Sequence, residues 1–217
     1  MHYGRDFMLA VDRRHRAHGY NTSFWELAAS MHIPVIEGSY NSAIYLPSPL
    51  ITLTPEVYSS YWSFTRFHEL AHTVLRDSGI EAQLWHDAEY PEQFRAWVEA
   101  YCNFGAAQFQ VPNGMLRQTL RTYGSTPRAV VRLTEQAGVD LFDAMQRVAY
   151  GFLDDDAART VFLSQGSYVR RVCTTRLYTP MQAGDRLPEA ALLGAGAKLL
   201  TLPERFGRGR VLGLLTE

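Results

Sequence analysis

This sequence of 217 residues has few cysteines, almost no net charge and no long hydrophobic run. Its two cysteines, Cys102 and Cys173, lie far apart in different kinds of segment, so we expect no disulfide framework and a reducing compartment. Acidic and basic residues nearly balance, with a formal net charge of -1. That balance does not indicate a surface for DNA or another polyanion, and we expect no direct DNA binding.

No stretch of the sequence is apolar over the roughly 20 residues that a membrane helix needs. The most apolar run, AALLGAGAKLL at 190–200, is short and contains Lys198. The first residues carry charges throughout and lack the basic-then-apolar pattern of a leader. We therefore expect a cytoplasmic protein without membrane contact. The sequence does not indicate an oligomeric state.

The first half of the chain predicts helices and a small antiparallel sheet. Apolar runs at Ile44–Leu46 and Ile51–Leu53, separated by Pro-Ser-Pro, indicate a hairpin or a small antiparallel sheet. Ser23 and Glu26 have the spacing of a capping box, and Thr54-Pro55 is typical of a helix start. The segment IEAQLWHDAEYPEQ, residues 80–93, is interpreted as a linker. The predicted helices cover 3–18, 23–31, 61–76 and 92–110.

The second half predicts three short helices over 115–150 and a β-containing region after them. Gly124 and Gly138 separate the helices, and the segment resembles a helix-turn-helix. The region from 151 on predicts a strand, a turn and a strand over 159–179, then a short helix near 188–200 and a final strand. The predicted division of the chain is 1–114, 115–150 and 151–217.

The three-helix segment does not have the charge pattern of a DNA reader. Asp140 and Asp143 stand at the start of its third helix, where phosphates would dock. We therefore expect a structural or protein-binding role, with weak nucleic-acid contact as the alternative left open. That alternative depends on four basic residues in the preceding helices, Arg117, Arg121, Arg128 and Arg132.

The sequence FHELAH contains the strongest chemical pattern, His68-Glu69-x-x-His72. On an α-helix these two histidines lie one turn apart on one face, so both imidazoles can bind one cation. Glu69 stands beside the first histidine and has the position of a general base. The helix around the motif is apolar on most sides, and burying these polar groups without a shared partner would be unfavourable. The pattern therefore predicts a hydrolytic metal site.

A third ligand is required, and a carboxylate from another helix is the usual solution. Six downstream residues are candidates: Glu81, His86, Asp87, Glu89, Glu92 and Glu99. Only Glu99 lies within a strongly apolar helix, so it is the predicted ligand. Asn103, one turn later, is in position to hydrogen-bond a ligand. His86 is the predicted donor to the oxyanion of the reaction, with Tyr90 and Tyr101 as further candidates, although a solvated linker histidine is the alternative.

The segments FTRFHELAHTVL and WVEAYCNFGAAQFQVP resemble the ImmA/IrrE family of bacterial metallopeptidases, and SAIYLPSPLITLTP is similar to the family's strand pair. The resemblance covers residues 20–150 and points to the IrrE branch, which is linked to the response to DNA damage. It implies an α+β fold with a mostly helical, zincin-like peptidase domain and a small antiparallel sheet. The chain departs from the family at three places: Ala71 replaces the glycine of HELGH, Phe109-Gln110-Val111 replaces the leucine-methionine run before the family's proline, and Gly105 stands where alanine or a bulkier residue is common.

The resemblance implies a zinc-dependent endopeptidase whose substrate is a helix-turn-helix transcriptional repressor of a stress regulon. His68, His72 and Glu99 would then be the metal ligands, with Glu69 as catalytic base and His86 assisting. The same ligand set also binds manganese or iron. The alternative is a binding module that retains the metal as scaffold and sequesters a repressor without cutting it.

Overall fold

The computed structural model describes residues 3–45, 47–60, 64–151, 159–174, 181–187, 192 and 194–216. It confirms the mixed α+β class. The chain forms two compact units, Met1–Pro112 and Asn113–Glu217. The division of residues 115–217 into two domains stays a prediction. No helix in the described ranges combines the length and the apolar character needed to cross a membrane.

The first unit combines helices with a three-stranded sheet. The strand order is β1-β3-β2, with β2 antiparallel and β1 parallel to the central strand. The antiparallel pair agrees with the predicted hairpin, although Leu46 lies outside the described residues. The elements are α1 (Gly4–Ala17), α2 (Phe24–Ser30), β1 (Val35–Glu37), β2 (Ser42–Ile44), β3 (Leu50–Leu53), α3 (Pro55–Ser59), α4 (Phe64–Asp77), α5 (Ile80–Asp87) and α6 (Pro91–Gln110).

Three local predictions in this unit were wrong or incomplete. The predicted linker at 80–93 contains the helix α5, which begins directly after Gly79, a residue in the left-handed conformation. The capping box at Ser23 does not form, since its side chain makes no capping hydrogen bond and the Glu26 carboxylate accepts from Asn21 Nδ2 at 2.7 Å. Thr54-Pro55 begins a helix as predicted, but that helix ends at Ser59.

Helices α4 and α6 approach each other closely because one of them has a glycine at the contact. A Cβ atom built on Gly105 of α6 would lie 2.8 Å from the Cβ of Ala71 on α4 and 3.1 Å from the Phe7 ring. Ala71 and Phe7 are completely buried. Two of the positions that depart from the pattern of the resemblance, Ala71 and Gly105, therefore lie against each other: the methyl of Ala71 occupies space that Gly105 leaves free.

Among its described residues, the second unit has the three helices that were predicted over 115–150 and a four-stranded antiparallel sheet of order β5-β4-β7-β6. The three predicted helices are confirmed, and Asp140 caps the third by accepting from the Asp143 backbone N–H at 2.7 Å. The predicted helix near 188–200 is wrong at its end, where β6 forms; residues 188–191 and 193 lie outside the described ranges. The elements are α7 (Asn113–Tyr123), α8 (Pro127–Ala137), α9 (Leu141–Ala149), β4 (Arg159–Gln165), β5 (Tyr168–Thr174), β6 (Lys198–Thr201), a 3-10 turn (Glu204–Phe206) and β7 (Arg210–Thr216).

Candidate metal centre

Helix α4 presents its two histidines side by side. Its other face is apolar and buried, with Phe67, Leu70 and Leu75 fully inaccessible to solvent. His68 and His72 lie one helical turn apart, and their Nε2 atoms are 3.2 Å from each other. Two imidazole nitrogens at this distance face a common point beside the helix, as the i, i+4 spacing predicts.

Glu99 of α6 completes a group of three. Its Oε2 lies 3.1 Å from His68 Nε2, and its Oε1 lies 3.7 Å from His72 Nε2. Among the described residues, His68, His72 and Glu99 form the group whose ligand atoms all lie within 4.8 Å of one another. The Glu99 side chain is 59% exposed, although its apolar neighbours along the helix had suggested a buried carboxylate. The site is therefore open to solvent on the side of Glu99.

Asn103 determines which nitrogen of His68 is free to bind a cation. The Asn103 Oδ1 lies 2.9 Å from His68 Nδ1. Because an amide oxygen only accepts, Nδ1 carries the proton and Nε2 of the neutral ring has a lone pair. His68 Nε2 lies 3.1 Å from a Glu99 oxygen, a separation that either a proton on Nε2 or a cation shared by the two atoms accounts for. The donor set therefore fits a metal ion.

The spacing of the three ligand atoms also fits a small divalent metal. Ligands at about 2.0–2.2 Å from a tetrahedral zinc ion are about 3.3–3.6 Å from one another. The two Nε2 atoms are 3.2 Å apart, and Glu99 Oε2 lies 3.1 Å from His68 Nε2. The 3.7 Å separation from His72 Nε2 belongs to the other Glu99 oxygen, Oε1, so the carboxylate faces the two rings with different atoms. One ligand atom from each of the three residues lies within 4.8 Å of the others.

The electrostatic environment keeps His72 neutral. Burial, together with the nearby His68, lowers the pKa of His72 to about 4, and Glu99 opposes this shift only in part. Neutral imidazole is the form that binds a metal. His72 is therefore ready to act as a ligand at neutral pH without first losing a proton.

The Glu69 carboxyl is buried beside the site and has a strongly altered acidity. Burial and the charge of Glu99 raise its pKa to about 7, while a hydrogen bond from the backbone N–H of Ala43 acts in the opposite direction. Ala43 belongs to β2, an edge strand of the first sheet. The carboxyl of Glu69 thus joins the motif helix to the sheet edge, a contact that the sequence did not predict.

The structure does not bring His86 into this group. His86 lies near the end of α5 with an exposed side chain, and the group of ligand atoms within 4.8 Å excludes it among the described residues. Its role in catalysis stays a prediction. Tyr101 is buried against the Phe7 ring, at 5.9 Å between centroids, and therefore belongs to the core around α1.

Comparisons with known proteins point in the same direction. No family model matches the chain. Two relatives, both described as radiation response metalloprotease IrrE, match part of it. The relative from Deinococcus radiodurans is 30% identical over 82 residues, which is 38% of this chain and 25% of that protein. The relative from Deinococcus deserti is 29% identical over 101 residues, 46% of this chain and 36% of that protein.

The matched regions thus span only about a quarter to a third of the relatives' own length. A solved structure, described as a Mycobacterium tuberculosis transcriptional regulator, covers 97% of this chain and 75% of its own, with a TM-score of 0.63 and 12% identity. At that identity the likeness concerns the fold alone. The chain therefore has a partial sequence similarity to IrrE metalloproteases and a fold that occurs in a solved protein.

Proposed function

We propose that the chain is a zinc-dependent endopeptidase. The observation that carries the proposal is the convergence of His68, His72 and Glu99 beside a buried carboxyl, that of Glu69. Three protein ligands with one open coordination position are typical of catalytic zinc, whereas structural zinc sites usually have four. The partial similarity to the IrrE metalloproteases supports the same function. Manganese and iron also suit two histidines and a carboxylate, and the metal content of the purified protein distinguishes them.

Glu69 has the position and the acidity of a general base. When bound, the metal supplies a Lewis acid that polarises the peptide carbonyl and increases the acidity of water. Glu69 takes a proton from the attacking water and then donates it to the leaving amine. Its pKa of about 7 in the metal-free chain suits both steps, because the carboxyl exchanges protons readily near neutral pH. Asn103 holds the His68 ring in the orientation that this arrangement needs.

The edge strand β2 offers a means of holding an extended peptide. Among the described strands β2 pairs with β3 alone, so its other edge has no strand beside it. An extended substrate can add to such an edge through backbone hydrogen bonds. Ala43 of this strand donates to Glu69, so a peptide bound there would lie next to the catalytic base. A structure with a substrate analogue that makes no contact with β2 would contradict this mode of binding.

The proposed substrate is a helix-turn-helix transcriptional repressor, whose cleavage would relieve repression of a stress or DNA-damage response. The resemblance to the ImmA/IrrE family supports this substrate class. The second candidate is a module that binds such a repressor without cutting it. The buried Glu69 favours the enzyme, because a scaffold has no need for a base next to its metal.

The substitution Glu69→Gln tests the enzymatic function. It keeps the size of the side chain and removes the proton acceptor, so we expect hydrolysis to fall at least about 100-fold. Metal content, measured by mass spectrometry of the purified variant, stays at the wild-type level because Glu69 is not a ligand. Glu37→Gln, at an exposed position on β1, is the matched control and keeps full activity. Cleavage at the wild-type rate by Glu69→Gln would contradict the proposed role.

A further inference from the structure

A small aromatic cleft lies where α5 meets α6. Its volume is about 280 Å³, and its lining consists of Trp85, Ala88, Glu89, Tyr90, Pro91 and Phe94. Trp85 is 62% exposed and Tyr90 is 53% exposed, so two large aromatic side chains of the lining are accessible to solvent. Exposed apolar groups that cluster around a cavity are typical of interaction sites.

The cleft is held by local hydrogen bonds and is preorganised. Ala88 N–H donates to Leu84 O at 3.1 Å, and Glu89 N–H donates to Gln93 Oε1 at 2.7 Å. The Trp85 and Phe94 rings pack edge to face, with centroids 5.1 Å apart. Because the turn and the rings are already ordered, a ligand would bind without the entropic cost of ordering them.

The surroundings of the cleft are acidic. Residues 81–95, which include the whole lining, contain four carboxylates and one basic side chain, that of Arg95. Of the four carboxylates, that of Glu89 lines the cleft. A surface of this charge attracts cations and repels nucleic acid and anionic membranes. The four carboxylates belong to Glu81, Asp87, Glu89 and Glu92, of which the last three are exposed and Glu81 is partly buried.

We propose that this cleft docks a basic protein segment that carries one large apolar side chain. A cavity of about 280 Å³ is at the lower limit for small-molecule sites and suits one or two side chains. The apolar side chain would pack between Trp85 and Tyr90, while lysines or arginines on either side meet the acidic rim or the aromatic faces.

This inference rests on the proposed function, since it describes where the substrate binds outside the metal centre. A DNA-binding repressor has a basic surface, because that surface neutralises phosphates. The charge of the cleft is complementary to such a surface. The cleft would therefore select DNA-binding proteins among the many chains that offer an extended segment to β2.

The test measures the binding of a dye-labelled synthetic peptide, with one phenylalanine flanked by lysines and arginines, to the full chain by fluorescence anisotropy. At low salt we expect Trp85→Ala to weaken binding by at least about tenfold, because central aromatic contacts carry most of the energy of an interface. Glu89→Lys also weakens it, and this difference shrinks as salt is added. Two matched controls, Tyr168→Ala and Glu204→Lys, alter an exposed aromatic residue and an exposed carboxylate in the other unit and bind like wild type.

Peptide controls separate this mode from simple charge attraction. Replacing the phenylalanine of the peptide by serine weakens binding, and an acidic peptide with the same phenylalanine does not bind. The proposal is overturned if Trp85→Ala and Glu89→Lys bind the basic peptide as wild type does. It is also overturned if the cleft binds anionic vesicles, or a second copy of the chain, in preference to the peptide.

Binding and hydrolysis are measured separately, so the two proposals fail in different ways. Anisotropy reports docking whether or not the chain cuts peptides. Wild-type binding that depends on Trp85, without any hydrolysis, contradicts the peptidase function and leaves the docking site intact. Hydrolysis that depends on Glu69, together with peptide binding that Trp85→Ala and Glu89→Lys leave unchanged, contradicts the docking site and leaves the peptidase function intact.

Discussion

At the scale of single residues, the site depends on which atoms carry protons. Asn103 accepts from His68 Nδ1 and thereby leaves the Nε2 lone pair for a cation. Burial shifts the acidity of Glu69 and His72 in opposite senses: the pKa of the carboxyl rises to about 7 and that of the imidazole falls to about 4. These shifts place an unprotonated ligand and a titratable base in the same small volume.

Removing the Asn103 side chain isolates its contribution. We expect Asn103→Ala to weaken metal affinity by about 10–100-fold, because the His68 ring loses the partner that fixes its tautomer and orientation. Competition with a chromogenic chelator measures the affinity. Gln118→Ala, which removes an exposed amide from α7, is the control and leaves affinity unchanged. An unaltered affinity in Asn103→Ala would show that the ring is held by other contacts.

A second buried histidine predicts a pH dependence of stability. His15 is fully buried, its Nε2 lies 2.8 Å from Asn21 O, and its Nδ1 has no hydrogen-bond partner among the described residues. Burial lowers its pKa, despite the hydrogen bond to Asn21 and the charge of Asp12. As pH falls through about 6.5, the His15 imidazole binds a proton in the unfolded chain but not in the folded chain. The free energy of unfolding therefore decreases.

Substitution of His15 measures this effect. His15→Gln keeps a side-chain donor but does not titrate, so we expect a smaller loss of stability between about pH 7 and pH 5 than in wild type. Urea unfolding at a series of pH values gives the comparison. His86→Gln changes an exposed histidine and keeps the wild-type slope. Equal slopes for His15→Gln and wild type would mean that His15 is protonated in the folded state.

At the scale of helices, the contact between α4 and α6 determines whether the three ligands can meet. Gly105 and Ala71 let the two helices approach, and a methyl group on Gly105 would lie 2.8 Å from the Ala71 Cβ. We expect Gly105→Ala to destabilise the fold by about 1–3 kcal/mol through overpacking. Ala71→Gly in the same chain restores space for the added methyl group. The loss in free energy of unfolding of the double variant should therefore be smaller than the sum of the two single losses by at least about 0.5 kcal/mol.

A double-mutant cycle from urea unfolding of the four chains measures this coupling. Gly114→Ala, at a position on α7 where an added Cβ meets no atom within 4 Å, is the control for Gly105→Ala. Additive effects of Gly105→Ala and Ala71→Gly would contradict the direct contact. The cycle also tests whether these two departures from the family pattern compensate each other.

The sequence predicted the long elements better than the short ones. The helix at 92–110 was predicted from its apolar periodicity, and the structure places α6 at Pro91–Gln110. The helix α5 was missed because eight residues with only Ile80 and Leu84 buried leave little periodicity to detect. Strand β1 lies within a stretch that has β-type signals, but its parallel pairing was not predicted, because only the pairing with β3 defines a strand of three residues.

In the candidate site, too, the sequence predicted the local feature better than the contacts between distant segments. The spacing of His68 and His72 is local, and helix geometry alone brings them together. Glu99 belongs to another helix and was selected from six candidates by its apolar neighbours, yet the structure shows an exposed carboxylate. The hydrogen bond from Ala43 to Glu69 joins residues that are distant in sequence, so no local pattern could predict it.

At the scale of the whole molecule, every residue of the candidate centre lies in one unit. His68, His72, Glu99 and Asn103 all fall within Met1–Pro112. We expect a fragment of residues 1–112 to fold and to bind one metal ion with the affinity of the full chain. Circular dichroism and chelator competition check the two parts of this statement. A fragment that folds but has lost metal binding would show that the second unit contributes to the site.

The most direct test of the account locates the metal itself. We predict that a crystal of the full chain with equimolar zinc shows one anomalous peak, about 2.0–2.2 Å from His68 Nε2, His72 Nε2 and a Glu99 oxygen. The data are collected on both sides of the zinc absorption edge. A peak bound elsewhere, or ordered His68 and His72 rings with no peak between them, would contradict the metal centre and the peptidase function built on it.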